Sequence, residues 1–444
     1  MGPRKCSRLL WLKKTIAAVA ATLLCCLLIP SGQGLASSGK MSPSGPDQVI
    51  LTWTDEPRTT QTISWREQGE EAGIVQYLSA ADYQGNFSRA EEQAGKRTPF
   101  YQDYYRVRVT LRGLKPDTSY IYRVGTKGIF SEPALFTTAS ESDSFSFLYL
   151  GDVQAGYESW GRMLNRIAAE NPGLKFALIG GDLVDQGSSP HEWQQFLSAA
   201  EPVFNRLPLM PAVGNHDDTL LFQTLLPTPK NGPLLGQGTI YSFDYGNCHF
   251  TVLNSNQMGI PGTYGSDTVA AWLRQDLAAS SKGWKIVVMH HPPYQKVADW
   301  RGEHLQTNWV PLFEQGGVDL VLTGHQHIYL RTKPLRAGKI KPDGEGIVYV
   351  IGNSGAKHYA PGPSYDYVAK QVAQVSNYQL LDIDGNTLTL TTKDADGEII
   401  DSFRLTKQLQ EQVIPPGQSG GNYLVLEFLH RLAAAVGLLF GPGY

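Results

Sequence analysis

Residues 317–328 read GVDLVLTGHQHI, an apolar run that ends, directly after Gly324, in two histidines one residue apart. If the chain stays extended there, side chains i and i+2 share a face, so His325 and His327 converge on one object. A metal ion is one such object. A pair of hydrogen-bonded loop histidines is the other reading, and the rest of the chain decides between them.

The same texture recurs upstream. FSFLYLGDVQ ends in Asp152 and Gln154, LKFALIGGDLVDQG in Asp182 and Asp185, LPLMPAVGNHDD in Asn215, His216 and Asp217, and WKIVVMHHPPY in His290 and His291. Helical patterns separate these runs, such as WGRMLNRIAAE with Trp160, Met163, Leu164 and Ile167 on one stripe. Apolar strands alternating with helices predict an α/β domain, here over 145–407. Open α/β sheets build their sites at the carboxyl edge of the strands. A single Gly-Asp after a strand is a turn; five strand ends that all deliver Asp, Asn, Gln or His point to metal ligation. YQLLDIDGNTLTLTTKDADGEIIDSFRLTK reads as a polar meander with turns at 385–386 and near 396–397.

Residues 47–139 read differently. QVILTW, TQTISW, IVQYL, YYRVRVTL and SYIYRVG are short strand-like runs parted by turn residues, which favours a β-sandwich. LRGLKPDTSYIYRVG places Tyr120 and Tyr122 after a turn and resembles the tyrosine-corner region of fibronectin type III modules.

The ends carry targeting signals. Arg4, Lys5, Arg8, Lys13 and Lys14 precede TIAAVAATLLCCLLIP, a basic then apolar pattern that predicts a signal peptide or N-terminal anchor over 1–36. Its removal takes five of the 38 basic residues and none of the 41 acidic ones, leaving a net charge of about −8, which argues against a nucleic-acid partner. Of the four cysteines only Cys248 would remain, so no intramolecular disulfide is available. Export without disulfides suits a secreted or cell-surface protein of a bacterial envelope. Residues 409–422 read as a Pro-Gly linker, and 423–444 as an amphipathic helix that either lies on a membrane or docks on the protein. The sequence leaves the oligomeric state open.

The series GD, GDLVD, GNHD, MHHP and GHQH, in this order, resembles the calcineurin-like metallophosphoesterases, and the preceding β-domain resembles the N-terminal module of purple acid phosphatases. The resemblance implies an N-terminal fibronectin III-like sandwich followed by an α/β domain, a central β-sandwich flanked by helices. It implies that Asp182 bridges two metals, that Asp152 and His327 belong to the first, and that Asn215, His290 and His325 complete the second. It places His216 against the substrate, with Asp217 behind it as an orienting carboxylate. The implied cofactors are two divalent or trivalent transition metal ions, Fe, Mn or Zn. Such a pair polarises phosphoryl oxygens and brings the pKa of a water towards about 7. Phosphoryl transfer then needs mainly positioning and charge neutralisation.

Two departures stand out. Purple acid phosphatases carry a tyrosine three residues after the bridging Asp; here Asp185 stands there, so the purple colour is not expected. Most other members show Asp-x-His where this chain has Asp152-Val153-Gln154. Gln154 either ligates directly or holds a water, and an oxygen-rich first site leans towards Mn or Fe over Zn. Lys357 and His358, in GNSGAKHY, are candidate substrate contacts. The expectation is an exported dinuclear-metal phosphoesterase acting on small phosphorylated substrates, with phosphomonoesters ahead of diesters and nucleotides. A non-catalytic cell-surface binding protein with a degenerate site is the rival.

Overall fold

The computed structural model describes residues 45–407 apart from 70, 72, 127 and 259–263. The N-terminal segment and the linker and helix expected at 409–422 and 423–444 lie outside the described residues. Among the described residues no helix is long and apolar enough to cross a membrane.

The first module is a sandwich of two antiparallel sheets. Asp47–Thr52, Thr60–Gln68, Tyr104–Arg112 and Lys96–Tyr101 pair in that order in one. Glu91–Ala94, Ile74–Ser79 and Ser119–Thr126 form the other, which two short strands complete. Period-2 alternation turns Val107, Val109 and Leu111 inward, where they pack with Ile63, Trp65, Val75 and Tyr122. The Tyr120 hydroxyl accepts a hydrogen bond of 3.0 Å from the Lys115 amide, closing the corner that the Leu-Lys-Pro-Asp-Thr turn announces.

The polar face of the four-stranded sheet is not left to water. Arg106, 2% exposed, donates to the Gln48 carbonyl and the Ser64 hydroxyl, and Arg108 donates to the carbonyls of Gln223 and Thr224 in the next module. Gln48 donates to the Ser198 hydroxyl, the Val49 amide to Glu201, and the Tyr122 hydroxyl to the Asn205 carbonyl. Trp53 leaves the sandwich altogether and packs among Phe176, Phe243 and Tyr245. The two modules therefore share core.

The second module stacks two sheets. The six-stranded one runs Leu209–Pro211, Leu174–Ile179, Ser144–Leu150, Asn377–Asp384, Thr387–Asp394, Ile399–Thr406. Its first three strands are parallel and its last three are the antiparallel meander. In the seven-stranded sheet, Cys248–Leu253, Trp284–Met289, Leu320–Thr323 and Val348–Ile351 form a parallel centre. Phe147, Phe176, Phe250, Val288 and Leu322 fill the space between the sheets. Helices Tyr157–Glu170 and Pro190–Phe204 cover the first sheet, burying Trp160, Met163, Leu164 and Ile167. Tyr264–Ala279, Trp300–Asn308 and Val310–Gly316 cover the second. Fully buried strands explain the unbroken apolar runs, and their parallel centres bring the carboxyl ends of both sheets to one edge.

Candidate metal centre

The strand that opened the sequence reading ends at Thr323, so His325 and His327 are not an extended pair. Both adopt left-handed backbone, with φ of 71° and 45°, and so do Gln154 at 41° and Asp182 at 51°. Non-glycine residues rarely accept this conformation, and it gathers at functional sites. The convergence of the two imidazoles comes from a turn after the strand, not from strand alternation.

These turns bring one cluster together. Asp182 Oδ2 lies 3.0 Å from Gln154 Nε2 and 3.2 Å from His290 Nε2, while Asp182 Oδ1 accepts the His216 amide at 2.9 Å. His290 Nε2 also lies 3.1 Å from Asn215 Oδ1 and 3.3 Å from His325 Nδ1. On the other side Asp152 Oδ2 faces His327 Nε2 at 3.4 Å, and Asp152 Oδ1 accepts the His325 amide at 2.6 Å. The cluster thus has two lobes, and one oxygen of Asp182 stands between them.

The donors fit a pair of metal ions. Neighbouring ligands on an octahedral ion with bonds of about 2.1 Å sit about 3.0 Å apart, close to the separations found here. Asp152 Oδ2 and Gln154 Oε1 are buried with no hydrogen-bond partner, an arrangement that costs stability unless a cation satisfies it. His290 Nδ1 donates to the Gly180 carbonyl at 2.9 Å, and His327 Nδ1 faces Asn353 Oδ1 at 3.1 Å, which leaves each Nε2 as a lone pair towards the cluster. Burial pushes Asp152 up to about 7 and takes His325 and His327 down to about 3 and about 4. Burial opposes charge on Asp182 and His290 alike, yet their attraction draws the carboxyl down and the imidazole up. The pocket demands positive charge, and the neutral imidazoles of His325 and His327 stand ready to ligate it. Asp152, Gln154, Asp182 and His327 would hold the first ion, and Asp182, Asn215, His290 and His325 the second. The Gln154 amide nitrogen donates to Asp182 directly, which places this side chain at the cluster.

Two sequence expectations need correction. Asp217 does not orient His216. Its buried carboxylate accepts the Leu183 and Gly214 amides, both at 2.6 Å, and so ties two site loops together. Asp185 takes the expected role: its carbonyl lies 2.6 Å and its carboxylate 3.4 Å from His216 Nδ1. The exposed His358 bonds the Ser376 hydroxyl at 3.1 Å, whereas Lys357 Nζ lies 4.0 Å from Asp185 beside His216. Asn353 was missed, although it too follows an apolar strand, Val348–Ile351, and the rule that found the other five edges reaches it.

Residues 145–329 match the calcineurin-like phosphoesterase family, and residues 46–138 match the purple acid phosphatase N-terminal domain. The chain therefore carries a calcineurin-like phosphoesterase domain behind a purple acid phosphatase-type N-terminal domain. The chain is 27% identical over 355 residues to purple acid phosphatase 18 of Arabidopsis thaliana, covering 73% of this chain and 74% of that one. It is 27% identical over 345 residues to acid phosphatase type 7 of Mus musculus, covering 70% and 76%. Its fold is similar to that of purple acid phosphatase PPD1 from yellow lupin seeds, with a TM-score of 0.69 at 18% identity over 82% of this chain and 74% of that one. It is also similar to the structure of PhoD, with a TM-score of 0.60 at 13% identity over 84% and 95%.

Proposed function

We propose that this metallophosphoesterase is an exported phosphomonoesterase that binds two transition metal ions through Asp152, Gln154, Asp182, Asn215, His290, His325 and His327. The observation that carries this reading is the position of Asp182 Oδ2, about equally far from Gln154 in one lobe and His290 in the other. A single anionic oxygen there can serve both ions. When bound, the ions supply charge neutralisation for the phosphoryl group and acidify a water.

The chain's own residues do the rest. Because a carbonyl only accepts, the contact with Asp185 fixes the proton of His216 on Nδ1. Nε2 is then the nitrogen that meets the ester, and when protonated it can donate to the departing oxygen. Lys357, beside Asp185, adds a cation suited to the second negative charge that distinguishes a monoester from a diester. The acid phosphatase names of the relatives point the same way. Three oxygen ligands to one imidazole at the first position favour Mn or Fe there. The basic-apolar N-terminus supports export.

Turnover of p-nitrophenyl phosphate against its bis-ester tests the reading, together with metal analysis of purified protein. Faster monoester turnover with two metals per chain supports it. Asp182→Asn should lose metal and activity together, because a neutral amide cannot offset two cations; full activity in that variant would falsify the dinuclear centre.

A further inference from the structure

The large apolar side chains that the fold leaves in water are not scattered evenly. Leu220, Leu234 and Leu235 are 82%, 79% and 62% exposed. Leu220 opens the helix Leu220–Leu225, which buries Phe222 and Leu225 beneath it. Leu234 and Leu235 belong to the short turn Leu234–Gly236, whose glycine lies against Ile240. Gln223 of the helix flanks Gly238, so helix and turn are neighbours. Both are tied to the metal edge. Leu220 stands four residues after His216, and Gln257 Nε2 donates to the Leu235 carbonyl at 3.4 Å. The adjacent Asn256 Nδ2 donates to the Gly214 carbonyl at 2.9 Å and to Asp218 Oδ2 at 3.2 Å. From Thr219 to Thr239 the one charged residue is Lys230, which lines the cavity around Asp244, His249 and Asp276 instead.

A single exposed leucine is ordinary, but three on adjoining segments beside a reaction centre mark a surface that binds something apolar. The chemistry of the centre says what. Its ligand carries a phosphoryl group, and His216, as the proton donor to the departing oxygen, fixes the side on which the alcohol leaves. The loop that carries His216 runs straight into Leu220. Resting on the phosphomonoesterase reading, we propose that Leu220, Leu234 and Leu235 form a leaving-group subsite for an alkyl chain, so that the substrates are phosphate monoesters of amphiphilic alcohols. Water attacks phosphorus, the ester P–O bond breaks, and the alcohol oxygen takes the proton of His216 while its chain rests on the leucines. Contact with the chain is the same before and during that step, so the gain enters kcat/KM through KM.

The test uses the full chain, loaded with Mn and offered n-alkyl phosphates from ethyl to octyl, each below the concentration at which it forms micelles. Full burial of a methylene is worth about fourfold, and an open surface covers about half of it, so kcat/KM should rise about twofold per methylene, mostly through a falling KM. Leu220→Ser, Leu234→Ser and Leu235→Ser combined should flatten the series, whereas Met at the same three positions should keep the slope. Ile340→Ser serves as the control. Ile340 is also exposed, but on the connection that enters the strand Val348–Ile351 at its amino end, so this variant should keep the slope too. A wild type indifferent to chain length, an unchanged slope in the triple Ser variant, or a slope that appears only once the substrates form micelles would each overturn the subsite and leave the phosphomonoesterase standing. A metal-loaded wild type that hydrolyses none of these esters, nor p-nitrophenyl phosphate, would overturn both.

Discussion

At the scale of single residues, Asp185 is the instructive case. It stands three residues after Asp182, where purple acid phosphatases carry a tyrosine. The structure gives it work of its own, holding His216 Nδ1 through both its carbonyl and its carboxylate. His216→Ala should keep both metals and lower turnover by about 10² to 10⁴, the range for a lost general acid. The loss should be smaller for p-nitrophenyl than for alkyl phosphates, since the better leaving group needs the proton less. Asp185→Ala retains the carbonyl contact, so its loss should be about tenfold or less by the same reasoning. Steady-state kinetics on the two substrates checks both, and equal losses for the two esters in His216→Ala would show that the imidazole acts on phosphoryl charge instead.

Secondary-structure elements explain what the sequence revealed and what it hid. Strands buried on both faces write themselves as apolar runs, so the five edges and the order of their polar residues were legible. The conformation past each edge was not. His325 and His327 carry no glycine or asparagine to mark their left-handed turn, and nothing local tells Asp217 to reach back to the Leu183 amide, 34 residues earlier. Such partners depend on which loops meet, a property of the assembled sheets. The glycines that permit these turns are testable. A methyl group on Gly324 would collide with Asp152 Oδ1, so Gly324→Ala should displace that ligand and reduce metal content from two towards one, as read by metal analysis.

The strand Cys248–Leu253 carries a different group, His249, held between Asp244 at 2.7 Å and Asp276 at 3.0 Å. Burial disfavours its cation, yet the two carboxylates hold the imidazole up at about 9. A folded value above the unfolded value of about 6.5 means that this stabilisation is complete below about pH 6.5 and is lost as pH rises through about 9. The contribution is on the order of a few kcal/mol. Denaturation midpoints should therefore fall across that window in the wild type and vary less in His249→Gln.

For the molecule as a whole, the shared core between modules sets cooperativity. Trp53 belongs to the sandwich by sequence but is 1% exposed among Phe176, Phe243 and Tyr245 of the second module. Trp53→Ala should cost about 3–5 kcal/mol and lower one common unfolding transition in calorimetry. Two separated transitions in the wild type would show that the modules melt independently. The two lobes of the metal cluster have their own long-range consequence. Asp152, Gln154, Asp182 and Asn215 come from the edge of the six-stranded sheet, whereas His290, His325 and His327 come from the edge of the seven-stranded one. Each ion would be gripped from both sides, like a rivet through two plates, so that sliding one sheet over the other by a fraction of a bond length would slacken both positions at once. Catalytic geometry would then be only as stiff as the packing of Phe147, Phe176 and Phe250 beneath it, and a distant flaw in that aromatic layer would surface first as loosened metal.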